Sequence, residues 1–299
     1  MPLPATEHLH PDAPGLDTRP LRDVANLLLD GQLAALQAVR PALDAIAQAA
    51  RLMAETLRND GRLAYVAAGS SGLMALADAA ELGGTFGIPA DRIRLSMAGG
   101  VPVNATMPGY TEDDSAAARA AAAETRPDDL VIALSASGST PYPLAYVAAA
   151  REKGARVVAI ANNPDTPLLQ AADIAICLET PPEVISGSTR LGAGTAQKTA
   201  LNIASTLMGI ELGHVHDGMM VNLLADNEKL RGRAAGIVSR ITGVPQEAAL
   251  ACLERSGGAV KPAVLLAAGH SETEAAQALA ATRGRIRDAL SDLQTRKTN

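Results

Sequence analysis

The chain has no tryptophan, one phenylalanine and four tyrosines among 299 residues, so aromatic rings make up only 2% of it. Its core must be filled by Ala, Leu, Val and Ile, which suit helices packed closely on a parallel sheet. Cysteine is nearly absent. Cys177 and Cys252 are too few and too far apart for a disulfide framework, and no Cys-x-x-Cys or Cys/His metal spacing occurs. Reduced thiols in a cytoplasmic protein are the simplest reading. No apolar run approaches the ~20 residues needed to span a bilayer, and the N-terminus lacks a charged-then-apolar signal pattern. No membrane partner is expected. Basic residues are not in excess either: the formal net charge is −6. Nucleic-acid binding, which wants a basic face, is disfavoured.

Two nucleotide motifs are also missing. Gly187 and Gly192 have the glycine spacing of a Walker loop, but Ala193 stands at the lysine position. The dinucleotide fingerprint Gly-x-Gly-x-x-Gly is reduced to Gly69-x-x-Gly72.

Three loops rich in serine, threonine and glycine are present instead. They are Gly69-Ser70-Ser71-Gly72, Ser135-Ala136-Ser137-Gly138-Ser139-Thr140, and Ser186-Gly187-Ser188-Thr189 with its continuation through Gly194-Thr195. The first two follow apolar strand-like runs and lead into helix-like segments. Such loops place hydroxyls and bare N–H groups at the positive end of a helix dipole, where an anion can be held without a dedicated cation. A phosphorylated small molecule is the expected ligand.

The pattern along the chain predicts an α/β fold, a doubly wound parallel sheet. Prolines crowd residues 1–20, which read as an arm. Helices are predicted over about 21–58 with a break at Pro41, and strands over 62–67, 129–134, 156–161 and 174–178. Helices from Leu73 to Leu82, Tyr142 to Lys153 and about 194–212 fall after the three loops. The sheet domain, with its N-terminal helices, is expected over 21–222. A small C-terminal helical subdomain, packed as three helices, is expected over 223–299.

Gly61 to Phe86, with Gly-Ser-Ser-Gly followed by Asp78-Ala79-Ala80-Glu81, resembles the sugar isomerase (SIS) domain of the N-acetylmuramic acid 6-phosphate etherase family. Ser135 to Tyr142 resembles that family's second loop, and Pro182 to Leu191 with Ala193 to Lys198 resembles its third. Met220-Val221-Asn222, Asn227 and Lys229-Leu230 also fit. The resemblance implies a lyase that removes D-lactate from C3 of N-acetylmuramic acid 6-phosphate, leaving N-acetylglucosamine 6-phosphate, with no metal or organic cofactor. In the family the opened sugar loses its C2 proton to a base, lactate leaves with help from an acid, and water adds to the double bond. Two differently tuned carboxyls can divide such work. The matching positions are Glu81, an acid whose role asks for partial burial, and Glu112, a candidate base. Phosphate would fall to Gly69, Ser70, Ser71, Gly72, Ser135, Ser137, Gly138, Ser139 and Thr140, with Ser188, Thr189 and Lys198 closing the pocket. A homodimer is expected.

Some positions depart from the family pattern. Leu73 and Ser139 stand where many members carry arginine, Gly83-Gly84 replaces a Pro-Pro pair, and Gly109 falls where a glutamate is usual. A non-catalytic sugar-phosphate sensor and an aldose–ketose isomerase remain open alternatives, since the fold alone does not choose among them. Glu112 to Asp114 could equally serve to cap the helix that follows. His214, His216 and the Met219-Met220 pair are assigned no chemistry.

Overall fold

The computed structural model describes residues 4–223, 225 and 227–298; Pro2, one of the prolines of the arm, lies outside them. The chain divides into two compact units, Met1–Ala80 with Asp91–Ser205, and Glu81–Ala90 with Thr206–Asn299.

The first unit opens with α1 (Leu21–Gln37) and α2 (Leu43–Arg58), parted by a short turn at Arg40-Pro41-Ala42. Ile46, Ala49, Ala50 and Met53 recur at helical spacing along α2 and are all buried, which gives the helix one apolar stripe. Then come β1 (Leu63–Ala67), α3 (Gly69–Phe86), β2 (Ile93–Met97), α4 (Ser115–Ala122), β3 (Leu130–Ser135), α5 (Pro141–Glu152), β4 (Arg156–Ala161), α6 (Pro167–Gln170), β5 (Ile174–Cys177) and α7 (Gly192–Glu211). The strands form one parallel sheet in the order β2-β1-β3-β4-β5. Every residue of β1 and β3 is buried, as a sheet covered on both faces requires.

The strand β2 was not among the sequence expectations. It is an edge strand, and Arg94 and Ser96 alternate with Ile93, Leu95 and Met97, so it lacks the unbroken apolar run of its neighbours.

In the second unit, β6 (Val215–His216) and β7 (Met219–Met220) form an antiparallel pair around Asp217-Gly218. Both turn residues have positive φ, 46° and 75°, as a tight two-residue hairpin demands. Among the described residues five helices follow rather than the expected three: α8 (Glu228–Thr242), α9 (Gln246–Arg255), α10 (Val260–Ala267), α11 (Glu272–Ala281) and α12 (Ile286–Thr298). Their alanine-rich sequences blur the apolar period that would separate one short helix from the next. Val221, Ala234, Val238, Leu253, Val260 and Val264 share one core. The single phenylalanine, Phe86, packs against Gly209, where a Cβ would come within 2.6 Å of its ring.

Candidate active site

Strand order decides where a ligand can enter. From β1 the chain crosses to β2 on one side, and from β3 it crosses to β4 on the other. Right-handed crossovers then send α3 and α5 to opposite faces. A crevice opens between the carboxyl ends of β1 and β3, where this sheet order binds ligands. The first two loops lie at those two strand ends.

The first of them is not a loop ahead of a helix starting at Leu73. It is the first turn of α3 itself, which begins at Gly69. Gly69 turns the chain with φ +54°, a conformation that an L side chain resists. Gly72 donates to the Ala68 carbonyl at 3.1 Å, and the Met97 side chain fills the space that a Cβ on Gly72 would need. Ser71 is buried and Ser70 half-buried.

Glu112 comes to this turn from the segment between β2 and α4. A Cβ on Gly69 would stand 2.5 Å from Glu112 Oε1, so the missing side chain makes room for the carboxylate. The Glu112 backbone carbonyl accepts the Tyr142 amide at 2.9 Å, which ties the same residue to the start of α5. Capping of α4 belongs to Asp114, whose carboxylate accepts the Ala117 amide at 2.9 Å. Glu112 is therefore not spent on that helix.

The second loop is a cluster of hydroxyls. Ser135 Oγ lies 2.7 Å from Thr140 Oγ1 and 3.3 Å from Ser137 Oγ. Ser139 Oγ donates to Ser137 Oγ at 3.1 Å, and the Gly138 amide donates to Ser135 Oγ at 3.0 Å. Gly138 sits at φ +69° with Thr166 where a side chain would be. Thr140 precedes α5 and provides no side-chain cap for it.

The arm supports this loop, which its proline content did not foretell. Thr6 is 1% exposed, and Asn163 Nδ2 donates both to Thr6 Oγ1 and to the Ala136 carbonyl, each at 3.0 Å.

The third loop, expected to close the pocket, leads into α7. The start of α7 already holds an anion: Glu183, 5% exposed, accepts the Gly192 and Ala193 amides at 2.9 and 2.8 Å. An internal carboxylate satisfies the donors that a phosphate would use. Ser188 and Thr189 are half-buried and Lys198 is exposed. Among the described residues no hydrogen bond links them to the first two loops.

Glu81 is exposed on α3, contrary to the partial burial asked of an acid. It lies twelve positions beyond Gly69, ~18 Å along the helix at 1.5 Å per residue. Its neighbour one turn back, Asp78, is 3% exposed. Asp78 accepts from Tyr65 Oη at 2.9 Å, Asn202 Nδ2 at 2.9 Å and Ser205 Oγ at 2.8 Å, pinning α3 to β1 and α7. Burial, with the Asp78 charge and hydrogen bond beside it, drives the Tyr65 phenol well above its ordinary value. That phenol stays a donor and helps hold α3 against β1 at Asp78. The residue type gave no hint of this, because Asp78 reads as one more polar helix position.

Comparison with known proteins gives the family and the fold. A SIS domain family model matches residues 32–162. The N-acetylmuramic acid 6-phosphate etherase of Deinococcus radiodurans is 42% identical over 290 residues, covering 96% of this chain and 95% of that protein. Its counterpart in Symbiobacterium thermophilum is 46% identical over 229 residues, 76% of each chain. Among solved structures, a Bacteroides fragilis protein described as a phosphosugar isomerase involved in capsule formation superposes with a TM-score of 0.54. It is 22% identical, and the match covers 67% of this chain and 95% of that one. That likeness shows the fold, a parallel sheet of the SIS type. The identity to the etherases, sustained along nearly the whole length, places the chain in the N-acetylmuramic acid 6-phosphate etherase family.

Proposed function

We propose that this chain is a carbon–oxygen lyase that cleaves the D-lactyl ether of N-acetylmuramic acid 6-phosphate by elimination and hydration. N-acetylglucosamine 6-phosphate and D-lactate are the products. The observation that carries the reading is the position of Glu112. Its carboxylate rests on Gly69 at the first turn of α3, while its carbonyl holds the start of α5 beside the hydroxyl cluster. A base at the crevice thus stands next to a phosphate cradle.

Charge decides how the two loops divide the substrate. A phosphate placed on the first turn of α3 would meet the Glu112 carboxylate at close range, and like charges repel there. The phosphate therefore falls to Ser135, Ser137, Ser139 and Thr140, whose hydroxyls turn to donate as needed. Glu112 then takes the C2 proton of the opened sugar, and the amides of Ser70 and Ser71 face the developing charge. The C3–O bond then breaks as lactate leaves and water adds at C3, and the part asked of the side chains in these steps is proton transfer.

Glu81 is the proposed acid toward the lactate oxygen. With C2 of the sugar held at Glu112 beside Gly69, the ~18 Å offset of Glu81 along α3 puts it out of reach of the neighbouring C3 oxygen, so a second copy of the chain supplies it. A homodimer has further support on α1, where Leu29, Leu33 and Leu36 fall at i, i+4 and i+7 and are 57%, 50% and 36% exposed. Such a stripe is apolar surface awaiting a partner.

The reaction is tested in heavy-oxygen water with N-acetylmuramic acid 6-phosphate. Free D-lactate together with label at C3 of the sugar is expected. Tight binding with no lactate would point to a sensor, and interconversion of C1 and C2 carbonyls would point to an isomerase.

The Gly69 contact makes a second prediction. Gly69→Ala adds a Cβ at positive φ and into Glu112 Oε1. The backbone strain costs about 1–2 kcal/mol, and displacement of the carboxylate should lower turnover at least tenfold beyond that loss. Gly100→Ala is the control: φ is +86° there, with nothing within 4 Å of the added carbon. It should pay the strain, seen as a lower melting temperature, and keep its turnover.

A further inference from the structure

The second unit contains a cavity of about 660 Å³ that the reaction above does not use. Leu223, Gly258, Val260, Lys261, Leu279 and Gly284 line it, and its size is that of a small-molecule pocket. Lys261 is its only buried cation among the described residues. It is 8% exposed, and no carbonyl, hydroxyl or carboxylate among the described residues accepts from its Nζ. A Cβ on Gly284, on the opposite wall, would stand 3.1 Å from Nζ, so the ammonium projects into the cavity. Burying a charge without a partner is costly. Burial pushes the Lys261 ammonium down to about 8, yet it stays mostly charged at neutral pH.

The first turn of α10 forms the same wall. Ala259 precedes it and offers no side-chain cap. The amides of Gly257, Gly258 and Ala259 already donate to the carbonyls of Glu254, Leu253 and Ser256. Those of Val260 and Lys261, first and second in the helix, have no intrahelical acceptor by position, and Pro262 has no N–H. One ammonium and two amides without intrahelical acceptors are therefore available to an anion, and apart from Asn222 the side chains of the remaining wall are apolar. A single positive charge balances a carboxylate, whereas a phosphate dianion would leave charge unmatched in a part-buried site.

We propose that this cavity is a binding site for a small monocarboxylic acid, its carboxylate on Lys261 and the first turn of α10, its short apolar body against Leu223, Val260 and Leu279. The inference is independent of the reaction assigned to the crevice.

Lysine-selective carbon-13 labelling offers a direct test, because the chain has only five lysines. Propionate, D-lactate, inorganic phosphate and neutral glycerol are titrated separately against the full-length protein at pH 7. Propionate or D-lactate should shift one lysine ε-signal saturably, and that signal should be missing from Lys261→Met. The variant should bind the acid at least about tenfold more weakly with an unchanged circular dichroism spectrum. Lys261→Arg, which keeps the charge, should retain binding and decides the matter if the methionine variant does not fold. The proposal is overturned if no lysine signal moves, if Lys261→Met binds as well as the parent, or if phosphate outcompetes both acids.

Discussion

Replacing Glu112 by glutamine should slow lactate release by about 10²-fold or more, near the lower end of what a positioned acid or base supplies. Glutamine keeps the shape of the side chain resting on Gly69 and removes its ability to take a proton. Glu112 is exposed and the cap of α4 belongs to Asp114, so stability should change by less than about 0.5 kcal/mol. Exchange of the C2 proton with solvent separates the two proposed roles. Glu112→Gln should lose exchange and lactate release together. Glu81→Gln should lose release while C2 exchange in deuterium oxide persists, because the base is intact and only departure of the leaving group is impaired. The reverse pattern would exchange the two assignments. The proposed sharing of pockets adds a further readout. When the two inactive variants are mixed and allowed to re-associate, half of the dimers are hybrid, and each hybrid has one site with both glutamates. About a quarter of parental activity should return if each site draws on both copies; none should return if each chain uses only its own.

Much of the sheet was legible because its strands are apolar from end to end. Leu130 to Leu134 and Val157 to Ala161 can hardly be other than buried. Edge strand β2 escaped for the opposite reason: all its residues but Met97 are only partly buried, and Arg94 reaches Glu124 in an ion pair. The Ser/Gly loops were legible as helix starts, but not their division of labour. That depends on contacts across the chain. Glu183 occupies the start of α7 from ten residues upstream of Ala193, and Glu112 reaches Gly69 from the far side of a strand. The acidic run Glu112-Asp113-Asp114 could not be apportioned from order alone, since any of its members could cap a helix. The hairpin at Asp217-Gly218 was available in the sequence, as a dipeptide that favours positive φ twice over.

The largest loss of stability should follow from Asp129→Ala, at the opposite end of the sheet from the crevice. Asp129 is 2% exposed and stands just before β3, where it accepts the Arg62 amide at 3.1 Å, Arg62 Nε at 3.0 Å, Arg62 Nη2 at 2.6 Å and the Arg126 amide at 2.9 Å. Arg62, itself 9% exposed, precedes β1, so the pair locks the amino ends of two central strands. Removing the carboxylate strands a buried guanidinium, which costs about 3–5 kcal/mol, a large share of the 5–15 kcal/mol typical of a folded domain. Asp129→Leu combined with Arg62→Met should recover much of the loss, because no charge is then left unpaired.

The pH dependence follows from the same contacts. Burial by itself would raise the Asp129 carboxyl, but the hydrogen bonds from Arg62, the Arg126 amide and the Arg62 charge outweigh it and hold the group below its ordinary value of 3.8. With the native value depressed, the unfolded chain binds the proton more readily, and stability falls as pH falls. The contribution is complete well above the unfolded carboxyl and fades as pH drops through the native one. Denaturant midpoints for parent and Asp129→Ala should therefore differ by a constant amount from neutrality to about pH 5, and converge in stronger acid. A gap that widened in acid would reverse the sign of the argument. Turnover per folded molecule should be unchanged at neutral pH, because the amino ends of β1 and β3 hold the sheet together while their carboxyl ends carry the chemistry.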